Sequence, residues 1–441
     1  MKLEGAQVAV VGMARSGIAA VELLLEHGAH VRPVDQNPNP ILVRGHNMIV
    51  EPQSARAFQN IDLIVLSPGV PADLPLVQIS RQRGVPIIGD LELASWFLLG
   101  KVIGITGSNG KTTTTALTGH ILKYAGIPMQ VGGNIGTAPA RMVASSQEGQ
   151  WNVLELSSFQ LETTVDFRAR IGAVLNVTPD HLDRHYTIEQ YAEAKARMFT
   201  NQTSGDFAVL NADDLICASF TSRGKRILFS STRQCRPGAY FQDSCLVLNG
   251  QYLMSSGEIP LRGLHNVENV LAAAAITSLA GVSHEQIRAA VAVFPGVEHR
   301  LEFVRNIGGV DWYNDSKATN VDATLKAIAA FESGLWVILG GKDKNSDYTA
   351  LTESLRAKTH GVLLIGSAAE KIDKQLSGVV PVFKAGTLVE AVKQAQRLAK
   401  TGETVLLAPA CASFDQFQNF EHRGREFKQL VQELKDESWR D

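Results

Sequence analysis

The stretch Val102-Ile-Gly-Ile-Thr-Gly-Ser-Asn-Gly-Lys-Thr112 decides the fold of this 441-residue chain. Its apolar start predicts a buried β-strand, and the residues after Thr112 are compatible with a helix as far as about Tyr124. In such a strand–loop–helix unit, glycines let successive backbone N–H groups point at phosphate oxygens. A lysine then reaches the β- and γ-phosphates, and a threonine hydroxyl binds Mg²⁺. The stretch therefore predicts a triphosphate site between a strand and a helix.

One position departs from the full P-loop pattern. That pattern places a glycine five positions before Gly110, where this chain has Ile105. An ordinary glycine turn with a surface lysine stays open as an alternative, although the strand–loop–helix context and the Gly-Lys-Thr ending favour phosphate binding.

Strands and helices alternate on both sides of this loop. The predicted strands are Gln7–Val11, Val31–Val34, Ile61–Leu66, Val102–Ile105, Trp151–Leu154, Ile171–Val177, Leu335–Leu339, Gly361–Ile365 and Thr404–Leu407. This alternation predicts an α/β fold with mostly parallel sheets. A chain of 441 residues also exceeds the roughly 250 to 300 residues that one core supports. We therefore expect three domains: a Rossmann-like domain at 1–92, a central P-loop-type ATPase domain at 93–297 and a Rossmann-like domain at 298–441.

Composition excludes several classes of protein. The formal net charge is −2, from 42 basic and 44 acidic residues, so no global field favours nucleic acid or an anionic membrane. No apolar run approaches the roughly 18 residues of a membrane span. The four cysteines form no C-x-x-C pair, which predicts neither a zinc site nor a disulfide framework and fits a reducing cytoplasm.

A second glycine turn lies near the amino terminus. Gly12-Met-Ala-Arg-Ser-Gly17 is followed by Asp35, 23 residues after Gly12, as in the dinucleotide fingerprint G-x-G-x-x-G. Ala14 replaces the middle glycine and hinders close approach of a pyrophosphate at that position. Binding of another nucleotide is therefore favoured over NAD, and a purely structural turn remains an alternative.

Three ionisable residues follow the central strands. Glu155 comes just after a strand end, where a carboxylate suits the metal that the loop threonine also binds. His181 follows the next strand among polar neighbours, and Lys195 lies on a helix that Thr187 and Gln190 open as a capping box. Each has a plainer reading, as a salt-bridged glutamate, a structural histidine and a solvated lysine.

Further polar clusters lie later in the chain. Asn266 and Asn269 share a helical face and suit a purine or phosphate, although helix capping competes as an explanation for Asn266. The polar segments of the last third are 298–300, 314–320 and 411–424. Loops of this kind usually bind ligands, and fixed Arg and Lys charges suit phosphoryl transfer.

In their order, these motifs resemble the Mur ligase family over nearly the whole chain. The motifs are G-S-N-G-K-T, G-G-N-I-G at 132–136, L-E-L-S-S-F-Q-L-E, N-V-T-P-D-H, the helix lysine, H-N-V-E-N, H-R and N-D-S-K-A-T-N. The amino-terminal domain and the ending A-C-A-S-F-D-Q-F-Q-N-F-E-H-R-G are most similar to the member that adds D-glutamate to UDP-N-acetylmuramoyl-L-alanine. The D-N-P-R motif of the diamino-acid-adding member is absent.

The resemblance implies roles for residues at matching positions. Lys111, Glu155, His181 and Lys195 would be catalytic. Metal ligands would be Thr112, Glu155, His181 and a carbamylated Lys195, holding two Mg²⁺ ions. ATP would contact Gly107, Ser108, Asn109, Gly110, Lys111, Thr112, Asn266, Asn269, Arg300, Asp315 and Lys317. The substrates would contact Arg15, Ser16, Asp35, Gln36, Ser67, Gly69, Asn134, His181, Thr319, Lys344, Ser413 and Phe420.

The implied function is ATP-dependent ligation through an acyl phosphate, in peptidoglycan precursor synthesis, by a cytoplasmic monomer without membrane insertion or nucleic-acid partner. A sister ligase or a folylpolyglutamate synthase relative is the enzymatic alternative. A nucleotide-regulated binding protein that performs no ligation is the alternative from another class. An NAD oxidoreductase would leave the Gly-Lys-Thr loop unexplained.

Overall fold

A computed structural model describes residues 2–43, 45–261 and 263–435. The chain forms two compact units, one of residues 1–260 and 265–294 and one of residues 261–264 and 295–441. The first unit contains two of the three large sheets, and the second unit contains the third. None of the helices in the described part of the chain has the length and apolar character of a bilayer span.

The amino-terminal sheet is parallel, with the order β5-β2-β1-β6-β7. Its elements are β1 (Gln7–Val11), α1 (Arg15–Glu26), β2 (His30–Asp35), the hairpin β3 (Ile41–Val43) and β4 (His46–Met48), β5 (Glu51–Pro52), β6 (Leu63–Leu66), α2 (Pro75–Gln82), β7 (Ile87–Gly89) and α3 (Asp90–Ser95). The strand order reverses between β1 and β6. A crevice therefore opens at their carboxyl ends, where doubly wound sheets bind ligands.

The central sheet has the order β16-β15-β14-β13-β12-β11-β8-β10-β9. Its elements are β8 (Lys101–Thr106), α4 (Lys111–Tyr124), β9 (Met129–Gly133), α5 (Pro139–Met142), β10 (Trp151–Glu155), α6 (Ser158–Leu161), β11 (Ile171–Val174), α7 (Leu182–His185), α8 (Ile188–Ala196), β12 (Phe207–Asn211), α9 (Leu215–Ser219), β13 (Lys225–Ser230), β14 (Gly238–Gln242), β15 (Cys245–Leu248), β16 (Gln251–Ser255), α10 (Leu264–Leu279) and α11 (His284–Ala292). Strand β15 is antiparallel to both of its neighbours, β14 and β16, and the other neighbouring strands are parallel to one another. The loop 107–112 follows β8, which lies between β10 and β11. The residues that follow these three strands are therefore neighbours.

The second unit contains a sheet with the order β17-β18-β22-β19-β20-β21. Its elements are β17 (Glu302–Ile307), β18 (Val310–Asn314), α12 (Val321–Ala329), β19 (Leu335–Gly340), α13 (Thr352–Lys358), β20 (Thr359–Ile365), α14 (Ala369–Gln375), β21 (Val382–Gly386), α15 (Leu388–Leu398), β22 (Thr404–Leu407) and α16 (Phe420–Glu433). Only β17 is antiparallel to its neighbour. The α/β class is as predicted, while the boundaries near residues 92 and 297 stay a prediction.

Of two local predictions, one is confirmed in part and one is wrong. Thr187 accepts a hydrogen bond from the Gln190 N–H, which is one of the two bonds of the predicted capping box. The strand predicted to reach Val177 ends instead at Val174. The residues beyond it leave the sheet because their polar groups bond to the loop after β8: the carbonyl of Asn176 accepts from the Ser108 N–H at 2.9 Å.

Candidate active site

The loop 107–112 is held in place by the segment after β11. The Asn109 N–H donates to Asn176 Oδ1 at 2.7 Å, and Ser108 Oγ donates to the carbonyl of Thr178 at 2.9 Å. Lys111 Nζ donates to the carbonyls of Gly107 at 2.8 Å and Ser108 at 2.9 Å. In a loop held in this way, the backbone N–H groups and the Lys111 ammonium lie at the start of α4. Phosphate binding requires this arrangement.

Asn266 and Asn269 lie against this loop. Asn269 Oδ1 accepts from Thr114 Oγ1 at 3.1 Å, and its amide donates to Asn266 Oδ1 at 3.0 Å. Both asparagines are buried. Asn266 is the third residue of α10, so it lies inside the helix and is not its N-cap. The structure thus places the predicted asparagine pair beside the first turn of α4, which follows the loop 107–112, with Thr114 as the contact.

Replacing Gly110 by alanine is expected to weaken ATP binding at least about tenfold. Gly110 has φ +82°, which costs an L-residue about 1–2 kcal/mol, and a Cβ there would lie 2.4 Å from Asn269 Oδ1. Gly126, just beyond the other end of α4, is the matched control because it has φ +72° and nothing within 4 Å of its Cβ position. Calorimetric titration with a non-hydrolysable ATP analogue measures both variants. Equal losses of affinity in the two would contradict the assignment of the loop.

Glu155 is a buried carboxylate at the end of β10. It is 2% exposed, and its Oε1 accepts from Asn134 Nδ2 at 3.0 Å. Its Oε2 is buried and has no hydrogen-bond partner among the described residues. A buried acceptor left in this state is costly unless a cation or another donor satisfies it. Glu155 therefore fits an oxygen ligand of Mg²⁺.

Lys195 is a buried amine beside the loop. Its side chain is 1% exposed, and Nζ donates to the carbonyl of Gly107 at 3.0 Å. Nζ also lies 4.2 Å from the ring centroid of Tyr191. Burial, followed by the charge of Lys111, lowers the pKa of Lys195 well below its ordinary value. Both effects favour the neutral amine. Because the side chain is buried, the interpretation of Lys195 as a solvated helix lysine is wrong.

His181 contacts the same tyrosine, Tyr191, as Lys195 does. Its ring packs edge-on against Phe159, with centroids 4.9 Å apart, and against Tyr191, with centroids 6.4 Å apart. The Tyr191 hydroxyl in turn lies 3.3 Å from Ser108 Oγ, within hydrogen-bonding distance. The side chain of His181 is 48% exposed, and Nε2 is 3.5 Å from an Asp180 carboxylate oxygen. Because the imidazole of His181 is half exposed, it is accessible to a ligand.

No cluster of three or more His, Cys, Asp or Glu side chains within the described residues is arranged to hold a metal ion. Protein carboxylates and imidazoles would therefore supply only part of a coordination shell. Mg²⁺ commonly binds one or two carboxylates together with waters and substrate phosphates. Glu155 beside the phosphate loop fits that pattern.

A cavity of about 640 Å³ lies where the amino-terminal and central sheets meet. It is lined by Gly12, Met13, Ala14, Arg15, Ser16, Asp35, Ser67, Pro68, Gly69, Val70, Gly133, Asn134, Gly136, Thr137, Ala138, Arg141 and Gln160. Six of the predicted substrate residues line it, namely Arg15, Ser16, Asp35, Ser67, Gly69 and Asn134. Gln36 is not among its lining residues, although it follows Asp35 directly.

The cavity is suited to an anion at one end. Helix α1 begins there at Arg15, and its N-cap residue, Ala14, has no polar side-chain atom to occupy the first N–H groups. Asp35 shapes this turn by accepting from the Met13 N–H at 2.6 Å and the Asn37 N–H at 2.9 Å. Asn134 connects the cavity to the loop site, since its amide donates to Glu155.

The second unit brings other predicted residues together. Lys317 Nζ lies 5.7 Å from the ring centroid of Phe420. Asp315 is buried, which raises its pKa to about 6 against the opposing charge of Arg300. Ser413 is buried and Thr319 partly buried, while Lys344 is exposed on the loop after β19.

Arg423 connects the segments that carry these residues. Its side chain is fully buried, and it donates to Ser316 Oγ at 2.9 Å, the Ser316 carbonyl at 2.8 Å and the Cys411 carbonyl at 3.2 Å. Lys342 and Ala412 also exchange backbone hydrogen bonds. One guanidinium therefore ties the 314–320 and 411–413 segments together.

Replacing Arg423 by methionine is expected to loosen both segments. Each buried acceptor left without its donor costs about 1–3 kcal/mol, so local opening should become easier by about 3 kcal/mol. Amide exchange of peptides covering 314–320 and 411–413 should accelerate about 100-fold. Arg425, exposed on the same helix, is the control and should leave exchange unchanged when replaced by methionine. Unaltered exchange in the Arg423 variant would show that the hydrogen bonds of Arg423 are not needed to hold the two segments.

Three family models match the chain in series. The Mur ligase MurD-like amino-terminal domain matches residues 6–89, the Mur ligase middle domain matches residues 105–277, and the Mur ligase glutamate ligase domain matches residues 299–411. Together they cover well over half of the chain. The chain belongs to the Mur ligase family.

Individual relatives of this Mur ligase are similar over its whole length. UDP-N-acetylmuramoylalanine--D-glutamate ligase of Solibacter usitatus is 57% identical over 438 residues, which cover 98% of this chain and 99% of the relative. The enzyme of the same name from Acidobacterium capsulatum is 50% identical over 448 residues, which cover 98% and 97%.

Solved structures share the fold. UDP-N-acetylmuramate-alanine ligase MurC of Thermotoga maritima superposes with a TM-score of 0.63 at 19% identity, covering 97% of this chain and 99% of that one. MurF ligase of Thermotoga maritima in complex with ADP gives a TM-score of 0.60 at 16% identity, covering 97% and 96%. The three-domain α/β architecture predicted from the sequence is that of Mur ligases.

Several residues that shape the site of this Mur ligase were not predicted from the sequence. Asn176 and Thr178 hold the phosphate loop, and Tyr191 contacts Lys195, His181 and Ser108. Gln160 and Arg141 line the cavity. Asn176, Thr178 and Gln160 lie in the motifs N-V-T-P-D-H and L-E-L-S-S-F-Q-L-E, but their roles depend on which way each side chain points.

Proposed function

We propose that this Mur ligase joins D-glutamate to UDP-N-acetylmuramoyl-L-alanine at the expense of ATP, in peptidoglycan precursor synthesis. The observation that carries the proposal is the 57% identity to a relative of that name over 98% of the chain. The first unit supports it with a phosphate-type loop, a buried amine and a buried carboxylate along one sheet edge. A cavity large enough for a nucleotide-sugar adjoins that edge.

The reaction needs two displacements. A carboxylate oxygen of the alanyl group attacks the γ-phosphorus of ATP, the bond to the β-phosphate oxygen breaks, and ADP leaves. The amine of D-glutamate then attacks the acyl phosphate carbonyl, loses a proton, and inorganic phosphate leaves as the amide forms. The loop 107–112 would hold the β- and γ-phosphates in line with the attacking carboxylate, and Lys111 would offset their charge.

Two Mg²⁺ ions would be held by Thr112, Glu155, His181 and Lys195. When bound, they neutralise charge on the phosphate oxygens and the substrate carboxylate. Glu155 supports this assignment because its buried Oε2 has no other partner among the described residues. Asn134 would keep that carboxylate oriented through its bond to Oε1.

Lys195 would act as a carbamate. Its neutral nitrogen attacks CO₂, an N–C bond forms and one proton leaves, which replaces an amine by an anionic oxygen ligand. The burial and the neighbouring charge that lower the pKa of Lys195 supply the neutral nucleophile that this step requires. An ammonium group could not bind Mg²⁺.

The other assignments follow the family pattern. ATP would also contact Asn266, Asn269, Arg300, Asp315 and Lys317, and D-glutamate would contact Thr319, Lys344, Ser413 and Phe420. The UDP-sugar would occupy the cavity lined by Arg15, Ser16, Asp35, Ser67, Gly69 and Asn134, with Gln36 nearby. We propose a cytoplasmic monomer. The four free cysteines support a reducing compartment.

Phosphate release from ATP tests the proposal. With UDP-N-acetylmuramoyl-L-alanine present, release should depend on D-glutamate and should be at least about 100-fold slower with L-glutamate or L-alanine. The product should be larger than the starting UDP-sugar by one glutamyl residue. Release driven by another amino acid would indicate a sister ligase, and nucleotide binding without any amino-acid-dependent release would indicate a switch protein.

A further inference from the structure

The loop 341–347, which follows β19, contains Lys344, one of the proposed D-glutamate contacts. Near its start, the Lys342 N–H donates to the Ala412 carbonyl at 2.8 Å, and the Ala412 N–H donates to the Lys342 carbonyl at 3.2 Å. Directly after Lys344, Asn345 has φ +60°, a left-handed conformation that few non-glycine residues adopt. A loop with this conformation keeps one shape only when the surrounding bonds hold it.

Asp343 supplies such bonds with both of its carboxylate oxygens. Oδ1 accepts from the Tyr348 hydroxyl at 2.8 Å and from the Ser346 N–H at 3.2 Å. Oδ2 accepts from Lys371 Nζ, on α14, at 2.8 Å. Burial opposes a charge on Asp343, but these bonds outweigh it, that from Lys371 most of all, and lower the pKa of the carboxyl to about 2. Asp343 is therefore an anion at neutral pH, and it ties its loop to α14.

Tyr348 connects Asp343 to Cys411. The side chain of Tyr348 is fully buried, and its hydroxyl lies 2.9 Å from Cys411 Sγ, within hydrogen-bonding distance. A chain of contacts therefore runs from Lys371 through Asp343 and Tyr348. It ends at Cys411, two residues before Ser413, which is another proposed D-glutamate contact.

We propose that Asp343 is a positioning residue for the amino-acid substrate, because its bonds hold the Lys344 loop and the Ser413 segment in one fixed arrangement. The inference rests on the proposed function, since it takes these two segments as parts of the D-glutamate site. D-glutamate has two carboxylates, and an ammonium on one segment and a hydroxyl on the other bind them only at the right separation. An error of about 1 Å in such a placement can cost about 100-fold in rate. A carboxylate with a structural role alone would have no selective effect on one substrate.

Asp343→Asn is the sharpest test because it keeps the shape of the side chain. The amide oxygen can still accept from the Tyr348 hydroxyl, but the amide NH₂ would face the Lys371 ammonium, and two donors form no hydrogen bond. The loop then loses its bond to α14. The KM for D-glutamate should rise about tenfold or more, while the KM values for ATP and UDP-N-acetylmuramoyl-L-alanine stay within about twofold. Steady-state phosphate release measures all three.

A double-mutant cycle assigns the effect to one bond. Lys371→Met removes the same bond from its other side and should give a similar rise in the KM for D-glutamate. Added to Asp343→Asn, it should raise that KM by less than about twofold further, since the bond is already lost.

Asp347→Asn is the matched control. Asp347 is in the same loop, and its Oδ1 accepts from the Thr349 N–H at 3.0 Å and from Thr349 Oγ1 at 2.7 Å. Asparagine caps such a turn as well as aspartate does, so this variant should keep the wild-type KM for D-glutamate.

Should Asp343→Asn fail to fold, Lys371→Met keeps the proposal testable, because the Lys371 side chain is 36% exposed and its replacement leaves no cavity in the core. An unchanged KM for D-glutamate in the folded variants would overturn the role of Asp343. An equal rise in the KM values of all three substrates would overturn it too, because the effect would not be selective.

Wild-type kinetics separate the failure of this inference from the failure of the proposed function. If the wild type releases phosphate only with D-glutamate and the variants at positions 343 and 371 match it, the role of Asp343 is wrong and the function stands. If the wild type uses another amino acid or none, the proposed function is wrong, and the inference with it.

Discussion

Replacing Lys195 by alanine should reduce kcat at least about 100-fold while leaving ATP binding within about tenfold of the wild type. The reason is the placement of Nζ, which is buried 3.0 Å from the Gly107 carbonyl of the phosphate loop. An amine there with a lowered pKa is suited to form the proposed carbamate, and its loss would remove the anionic oxygen proposed for the metal site. Steady-state phosphate release and calorimetric titration with an ATP analogue measure the two effects.

A chemical rescue makes this prediction specific. Acetate or formate should restore part of the activity of Lys195→Ala, since a small carboxylate can occupy the vacated space and replace the carbamate oxygen. Lys123→Ala is the control, because Lys123 is exposed on α4 and should neither lose activity nor respond to acetate. Activity of Lys195→Ala above about a tenth of the wild-type value would contradict the assigned role.

Replacing Glu155 by glutamine should reduce kcat at least about 100-fold and shift the Mg²⁺ dependence to higher concentration. The glutamine amide has one acceptor, which the bond from Asn134 Nδ2 already uses at the Oε1 position. The NH₂ group would then replace Oε2 and present hydrogens where a cation is expected. A titration of phosphate release with MgCl₂ measures the shift.

Glu148 supplies the matched control for this substitution. It is exposed and lies shortly before β10, so Glu148→Gln should leave both kcat and the Mg²⁺ dependence unchanged. A Glu155→Gln variant with wild-type Mg²⁺ dependence would show that the unpartnered Oε2 has a different occupant.

Much of the fold could be predicted because its signals are local. Strands β1 and β22 have the predicted bounds, and α4 ends at Tyr124 as predicted. The apolar runs, the helix starts and the glycine loop each depend on a few adjacent residues. The strand predicted to end at Val177 was too long because apolar character alone does not show that Asn176 turns to the phosphate loop.

The candidate site could be predicted only at residues whose type suits the reaction and which also lie in a recognisable sequence motif. The loop lysine and threonine, Glu155, His181 and Lys195 stood out by type and by their place after strands. Sequence spacing favoured a solvated Lys195, and only the tertiary structure buries it against Tyr191. Arg423 could not be found from the sequence, because its importance comes from burial and from partners far along the chain.

Transfer of ¹⁸O from substrate to phosphate shows directly whether the substrate carboxylate attacks the phosphate proposed to bind at the loop 107–112. UDP-N-acetylmuramoyl-L-alanine labelled with ¹⁸O in both carboxylate oxygens is turned over with ATP and D-glutamate in unlabelled water, and the phosphate is analysed by mass spectrometry. We expect one ¹⁸O atom in each phosphate released and one retained in the amide. Phosphate that contains no ¹⁸O would contradict the proposed attack, because ATP would then have been cleaved without activating the carboxylate.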